Sequence, residues 1–328
     1  VSHWRKRIGA ALAAGMMALA AGIAAVAPAT AQEKKTLKVS IIPIADVAPL
    51  FAAIQQGYFR EQGLEIDTAP TTGGAVGIPA LFAGAYDIVF TNVVSTVQAR
   101  AQGLPVKIIA PASSIGEGID GPAGAGILVR AEDGLKGGAD LAGKSLGVNN
   151  QNNIIWLYAR AWIERTGGDA SKVAYREVPF PQMVDALRGK RVDAVFAVDP
   201  FLTLAKDDPA FAFLGSPYVM VQPGLSVAQY VATEDFIAKH PETLKRFDAG
   251  LRKGIEWVSK HLNTPEAREL LASYTRISPG LLAKMAPMVE PPRTVDEDSI
   301  RKTIALMKQH GLLKAEVDVP AMLHQTAR

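Results

Sequence analysis

The sequence predicts an α/β protein built of two similar lobes, the second inserted into the first. Three observations carry that reading. Ala80-Leu81, five residues and Asp87-Ile88-Val89-Phe90 are echoed later by Ala186-Leu187, five residues and Asp193-Ala194-Val195-Phe196. Upstream of each copy the pattern runs strand, helix, strand over nearly the same length. Two short segments rich in Gly, Pro and Ser flank the second copy, as the crossings between two lobes would.

Leu37-Lys38-Val39-Ser40-Ile41-Ile42 alternates and then runs apolar, like a strand covered on both faces, and Pro43 stops it. Pro49 to Gln62 reads as a helix, with Leu50, Phe51, Ile54 and Tyr58 at helical spacing and Gly63 as a left-handed cap. Leu64 to Ala69 is the second strand. Thr71-Thr72-Gly73-Gly74 then turns into a short helix whose first amides lie uncovered. Asp87 to Phe90 is the third strand, and a helix begins within Thr91-Asn92-Val93-Val94-Ser95 at its carboxyl end. Val106 to Ala110 is a further strand, and Pro111 to Gly126 has the composition of a crossing linker.

The second unit runs from about Ile127 to Leu214, with Ser145 to Val148, Ile154 to Thr166, Val173 to Val178 and Asp193 to Phe196 repeating the first unit's order. The chain returns through Gly215-Ser216-Pro217 and Gln222-Pro223-Gly224. From Glu234 onward the pattern is helical, marked by Phe247, Leu251, Ile255 and Val258 and then Ile300, Ile304 and Met307, and these helices are expected on lobe 1. The expected boundaries are residues 35–122 with 220–328 for lobe 1 and 123–219 for lobe 2.

Residues 1–31 read as a cleavable export signal. Arg5-Lys6-Arg7 precedes an uncharged Ala-rich run from Ile8 to Val26, and Ala29-Thr30-Ala31 offers a small-x-small cleavage site. Without that leader the chain carries 32 basic and 32 acidic residues, so nothing in its charge asks for nucleic acid or an acidic membrane as partner. The sequence contains no cysteine, which excludes disulfides, thiolate catalysis and a lipidated cysteine. A periplasmic, monomeric protein is the expectation.

Gly138-Ala139-Asp140-Leu141-Ala142-Gly143-Lys144-Ser145 fits the letters of a phosphate loop, but a strand follows the lysine where such a loop requires a helix. Asn149-Asn150-Gln151-Asn152-Asn153 follows a strand and opens a helix, supplying amides and free backbone N–H groups to a ligand-facing loop, or simply a polar turn with an Asn cap. Asp199 follows the last strand of the second unit, where it can cap a helix, face a cleft, or both. Asp87 and Asp193 read as strand-start residues. Pro179-Phe180-Pro181-Gln182 corresponds to Thr71 to Ala75, and Trp156, Phe90, Tyr218 and Tyr230 are further candidates for an aromatic wall. His240, His261, His310 and His324 lack ligand spacing and are expected at the surface. The sequence shows neither a metal cluster nor a nucleophile elbow, and no metal, cofactor or catalytic set is expected.

Gly57-Tyr58-Phe59-Arg60-Glu61-Gln62-Gly63-Leu64-Glu65-Ile66, the two Ala-Leu to Asp elements, Asp140-Leu141-Ala142-Gly143-Lys144 and Asp199-Pro200-Phe201 together resemble the solute-binding proteins of ABC importers, over about residues 36 to 235. The branch for nitrate, sulfonate, taurine and thiamine-pyrimidine precursors is the most similar. This resemblance implies a two-lobed type II periplasmic binding protein fold that closes on a small solute and delivers it to a permease with its ATPase. It also implies ligand contacts in the loops after strands: Ile44, Ala45 and Asp46; Thr72, Gly73, Gly74 and Ala75; Thr91 and Asn92; Asn149, Gln151 and Asn152; Phe180; and Asp199. No arginine stands at these positions to neutralise a strong anion, so a carboxylate, an aromatic acid and a pyrimidine-like heterocycle stay open beside a sulfonate. The competing expectation is an exported enzyme on the same scaffold, dehydratase-like or similar to a pyrimidine-precursor synthase.

Overall fold

The computed structural model describes residues 35–116, 124–284 and 288–328, so the expected leader lies outside the described residues. Among the described residues ten strands form two five-stranded sheets of the same design. The first contains β1 (Lys35–Ile41), β2 (Leu64–Pro70), β3 (Ile88–Asn92), β4 (Val106–Ser114) and β10 (Ser226–Thr233), in the order β2-β1-β3-β10-β4. The second contains β5 (Ala125–Arg130), β6 (Ser145–Val148), β7 (Ala174–Glu177), β8 (Ala194–Val198) and β9 (Phe211–Gly215), in the order β7-β6-β8-β5-β9. In both sheets the first three strands are parallel and the fourth runs against its neighbours.

That fourth strand explains the insertion. β5 is the first strand after the chain leaves the first sheet, and β10 is the first after it returns. The two crossings touch, since the Ile115 N–H donates to the Leu225 carbonyl at 2.8 Å. Helices cover both faces of each sheet, so every residue of β3, β5 and β8 is buried.

The duplication extends to single hydrogen bonds. Asp87 Oδ2 accepts from the Lys38 N–H at 3.0 Å, and Asp193 Oδ2 accepts from the Ser145 N–H at 2.8 Å. Both aspartates therefore pin the start of one parallel strand to its neighbour, as their strand-start position suggested. Burial works against ionisation of Asp193, yet the Ser145 N–H and hydroxyl and the Arg130 guanidinium hold its carboxyl below the ordinary value.

Helices α1 (Ala48–Gln55), α2 (Gly74–Phe82) and α3 (Val93–Ala101) pack on the first sheet, and α4 (Ile154–Arg165), α5 (Phe180–Arg188) and α6 (Phe201–Lys206) on the second. The long α7 (Pro241–Lys260) seals the first half, with Phe247 stacked on Phe59 at 5.4 Å and edge-on to Tyr230 at 6.0 Å. The C-terminal α8 (Glu297–Gln309) joins both halves. Tyr158 on α4 donates its hydroxyl to Gln222 Oε1 at 2.8 Å, and Gln222 Nε2 reaches Ser299 Oγ at 3.0 Å.

Three details differ from the sequence expectation. The helix over Pro49 to Gln62 is two pieces, α1 and a turn over Tyr58–Glu61, because Gly57 between them is left-handed at φ 78°. The stretch after Ala110 is not yet linker, since β4 continues through Pro111 to Ser114. An edge strand tolerates that proline, because only one side of it carries a ladder. His310 is buried rather than exposed, its side chain 3% accessible and its Nδ1 3.7 Å from Glu164. The Gly138 to Ser145 segment is a short 3-10 turn leading into β6, so no helix amides open behind Lys144.

Candidate functional site

The carboxyl ends of β1, β3, β6 and β8 converge on one cleft between the two sheets, of about 930 Å³ including the space open at its mouth. Its walls are mainly apolar. Ile42, Phe90 and Val227 face it from the first half and Ile154, Phe180 and Val198 from the second, with Tyr218 between them. Polar groups are few: Asp46, Asn92, Ser113, Ser114, Asn149, Asn153, Asp199 and Glu290.

Of the loop residues expected at a site, Ile44, Ala45, Asp46, Asn92, Asn149, Phe180 and Asp199 line this cleft. Thr72, Gly73, Gly74, Ala75, Thr91, Gln151 and Asn152 do not. Thr91 precedes Asn92 on β3 and so points to the opposite face, where Gly74 passes so close that a Cβ there would lie 2.4 Å from Thr91 Oγ1. Gln151 and Asn152 are exposed on the turn before α4, with the Gln151 N–H bonded to Glu177 Oε1 at 2.8 Å.

The Thr72 to Ala75 loop instead forms a seam between the halves. Asn149 Nδ2 donates to the Thr72 carbonyl at 3.0 Å. Gly73, at φ 154°, presses so near that a Cβ would fall 2.1 Å from Asn150 Oδ1. A second seam lies on the other side of the cleft, where the Ala45 N–H donates to the Asp199 carbonyl at 2.9 Å.

Several lining residues come from segments that carried no site signal. Ser113, Ser114 and Ile115 belong to a stretch whose composition reads as linker. Val258 and Met288 to Pro291 reach the cleft only through the return of the C-terminal helices. Among the aromatic candidates Phe90 and Tyr218 line the cleft. Tyr230 is fully buried behind Phe90, and Trp156 packs on Tyr175 with the Arg160 guanidinium 4.6 Å over its ring.

The electrostatics of the cleft are dominated by two carboxylates. Asp46 keeps one face open to the cavity, and Ser113 Oγ donates to its Oδ2. Burial raises the Asp46 pKa above the ordinary value, the negative charge of Asp199 adds to the rise, and the Ser113 bond opposes it. Asp199 is 7% exposed, and its Oδ1 accepts from the Thr203 N–H at 3.0 Å and the Thr203 hydroxyl at 2.8 Å. Burial raises its pKa too, against those two bonds. No Lys, Arg or His lines the cleft among the described residues, and no three His, Asp or Glu side chains there are grouped as metal ligands.

The fold recurs among known proteins. The alkanesulfonate-binding protein SsuA of Xanthomonas axonopodis pv. citri, solved with bound MOPS, superposes with a TM-score of 0.73 at 16% identity, covering 90% of this chain and 99% of that one. The ligand-binding component of an ABC-type import system from Staphylococcus aureus superposes with a TM-score of 0.73 at 14% identity, covering 88% and 96%. The formylaminopyrimidine-binding protein of Halalkalibacterium halodurans is 25% identical over 226 residues, covering 68% of this chain and 64%, just under two thirds, of that protein's length. Residues 44–266, more than half of the chain, match the family described as NMT1/THI5 like, and the chain belongs to that family.

Proposed function

We propose that the protein is a solute receptor for an ABC-type importer, which encloses a small organic molecule between its lobes and releases it unchanged to a permease with its ATPase. Lobe 1 would comprise residues 35–122 and 220–328, and lobe 2 residues 123–219. The observation that carries the reading is the construction of the cleft. Both halves supply its walls, and both sides of it are bridged by bonds between halves, Asn149 to the Thr72 carbonyl and Ala45 to the Asp199 carbonyl. A guest touching both walls stabilises this closed arrangement over one in which the halves swing apart. The two crossing segments joined at Ile115 and Leu225 would serve as hinge.

The relatives' names support the same reading, since they are described as binding proteins or import components. An exported receptor is compatible with the described residues, where no helix is long and apolar enough to cross a membrane. A thermal-shift screen of small solutes, followed by X-ray scattering with the best one, tests the proposal. A guest that raises the melting point and shrinks the particle supports it. Binding with no change in shape contradicts it.

One observation favours a second reading, an acid–base enzyme. Asp46 and Asp199 are two carboxylates with raised pKa values facing one cavity. Recovering the bound solute by mass spectrometry after long incubation separates the two, since a receptor returns it intact.

A further inference from the structure

We propose that the cleft selects a cationic nitrogen compound, a protonated amine or amidine, held between the Asp46 and Asp199 carboxylates of opposite halves. This deepens the receptor reading and rests on it.

Asn92, Asn149 and Asn153 each already use their side-chain oxygen and one N–H. Asn92 Oδ1 accepts from the Ser95 N–H at 3.0 Å, and its Nδ2 donates to Ser95 Oγ at 3.0 Å. Asn149 Oδ1 accepts from Asn153 Nδ2 at 2.8 Å, while Asn149 Nδ2 is held by Thr72. Asn153 Oδ1 accepts from the Trp156 N–H at 3.1 Å. The Ser113 hydroxyl donates its hydrogen bond to Asp46 Oδ2. The amides expected to grip a ligand thus spend most of their capacity on the protein itself.

Helix starts are the usual seats for an anion in an arginine-free site. Three of those at the cleft are capped from within, α3 by Asn92, α4 by Asn153 and α6 by the Asp199 carboxylate on the Thr203 N–H, while α1 and α5 have no side-chain cap and each spends a first-turn position on a proline that carries no N–H. Apart from the Ser114 and Tyr218 hydroxyls and the second Nδ2 hydrogens of the asparagines, the unspent polar capacity is negative. Asp199 Oδ2 makes no hydrogen bond among the described residues although the side chain is more than nine-tenths buried, and it borders the cavity beside Gly124. Asp46 faces it from the other half, and Glu290 stands at the exposed rim.

No basic side chain lines the cleft among the described residues, and segments 117–123 and 285–287 contain no Lys, Arg or His in their sequence. A carboxylate or sulfonate entering here would meet two like charges with no counter-charge in the cleft wall, Lys206 acting on Asp199 only from outside it. A cation would neutralise both, donate to the free oxygen of Asp199 and set its apolar body against Phe90, Phe180 and Tyr218.

Benzamidine and benzoate test this directly, because they share a shape and differ in charge. Titration calorimetry on the wild-type chain should give benzamidine at least a tenfold advantage, and Asp46→Asn and Asp199→Asn, singly and together, should erase it while circular dichroism stays unchanged. Equal or tighter binding of benzoate overturns the proposal. A wider panel adds putrescine as a second cation, methanesulfonate and nitrate as anions, and 4-aminopyrimidine and uracil as neutral rings. Binding confined to the anions or to the neutral rings overturns the charge assignment and leaves the receptor reading intact. Binding by none of these probes counts against both.

Discussion

The Asn149 side chain joins the two halves of the molecule, donating from Nδ2 to the Thr72 carbonyl at 3.0 Å while its Oδ1 is fixed by Asn153 at 2.8 Å. It borders the cleft, yet its bonds run across the seam. Asn149→Ala should therefore weaken solute binding by disfavouring closure. One neutral hydrogen bond contributes about 0.5–1.5 kcal/mol, so about a 2- to 12-fold loss of affinity is expected in calorimetry with little change in the melting point of the empty protein. Unaltered affinity would show that the seam does not govern closure.

Gly73 provides a sharper test of the same seam. An alanine there must hold φ near 154° with its Cβ 2.1 Å from Asn150 Oδ1, which is the movable end of a side chain but one confined by the opposite half. Backbone strain of this kind costs about 1–3 kcal/mol. Gly73→Ala should bind solute about tenfold or more weakly and scatter X-rays as the open form even at saturating solute.

Phe180 is 4% exposed and belongs to the core of the second half as much as to the cleft wall. Phe180→Ala should cost about 3–5 kcal/mol of stability and so confuses fold with binding. Phe180→Leu keeps most of the apolar volume. It should leave the fold intact by circular dichroism and weaken the guest about fivefold through lost wall contact.

The two cleft carboxylates make stability depend on pH in a defined direction. A carboxyl whose folded pKa is raised holds its proton more tightly in the folded state, so its contribution is full below the ordinary carboxylate range and is lost as pH rises through the raised value. Asp46→Asn with Asp199→Asn should melt about 2 °C or more above the wild type at pH 8, with the gap closing toward about pH 4. Differential scanning calorimetry of both proteins across that range checks it. A gap that widens toward acid would contradict the assignment.

Much of the fold was legible because its signals are local and repeated. The apolar runs at Val39 and Leu146 and the aspartates at 87 and 193 mark the same ladder twice, and hydrogen bonds to Lys38 and Ser145 realise it. The site was half legible for a geometric reason. Ile44, Asn92, Asn149 and Asp199 follow parallel strands directly, and the ladder fixes where such residues emerge. Thr91 fell on the wrong side because one residue along a strand reverses the face. The place of Thr72 to Ala75 is set by contacts with Asn149 and Asn150 of the other half, which no local pattern encodes. Met288 to Pro291 reach the cleft through a tertiary return with no sequence mark, and the approach of Asp46 to Asp199 exists only once both halves are in place.

A crystal structure with the tightest-binding member of the probe panel shows whether one guest touches both halves at once. A nitrogen of the guest is expected within about 3 Å of a carboxylate oxygen on both Asp46 and Asp199, with its apolar body against Phe180. A guest seated on one half alone, or outside the cleft between the sheets, would contradict it.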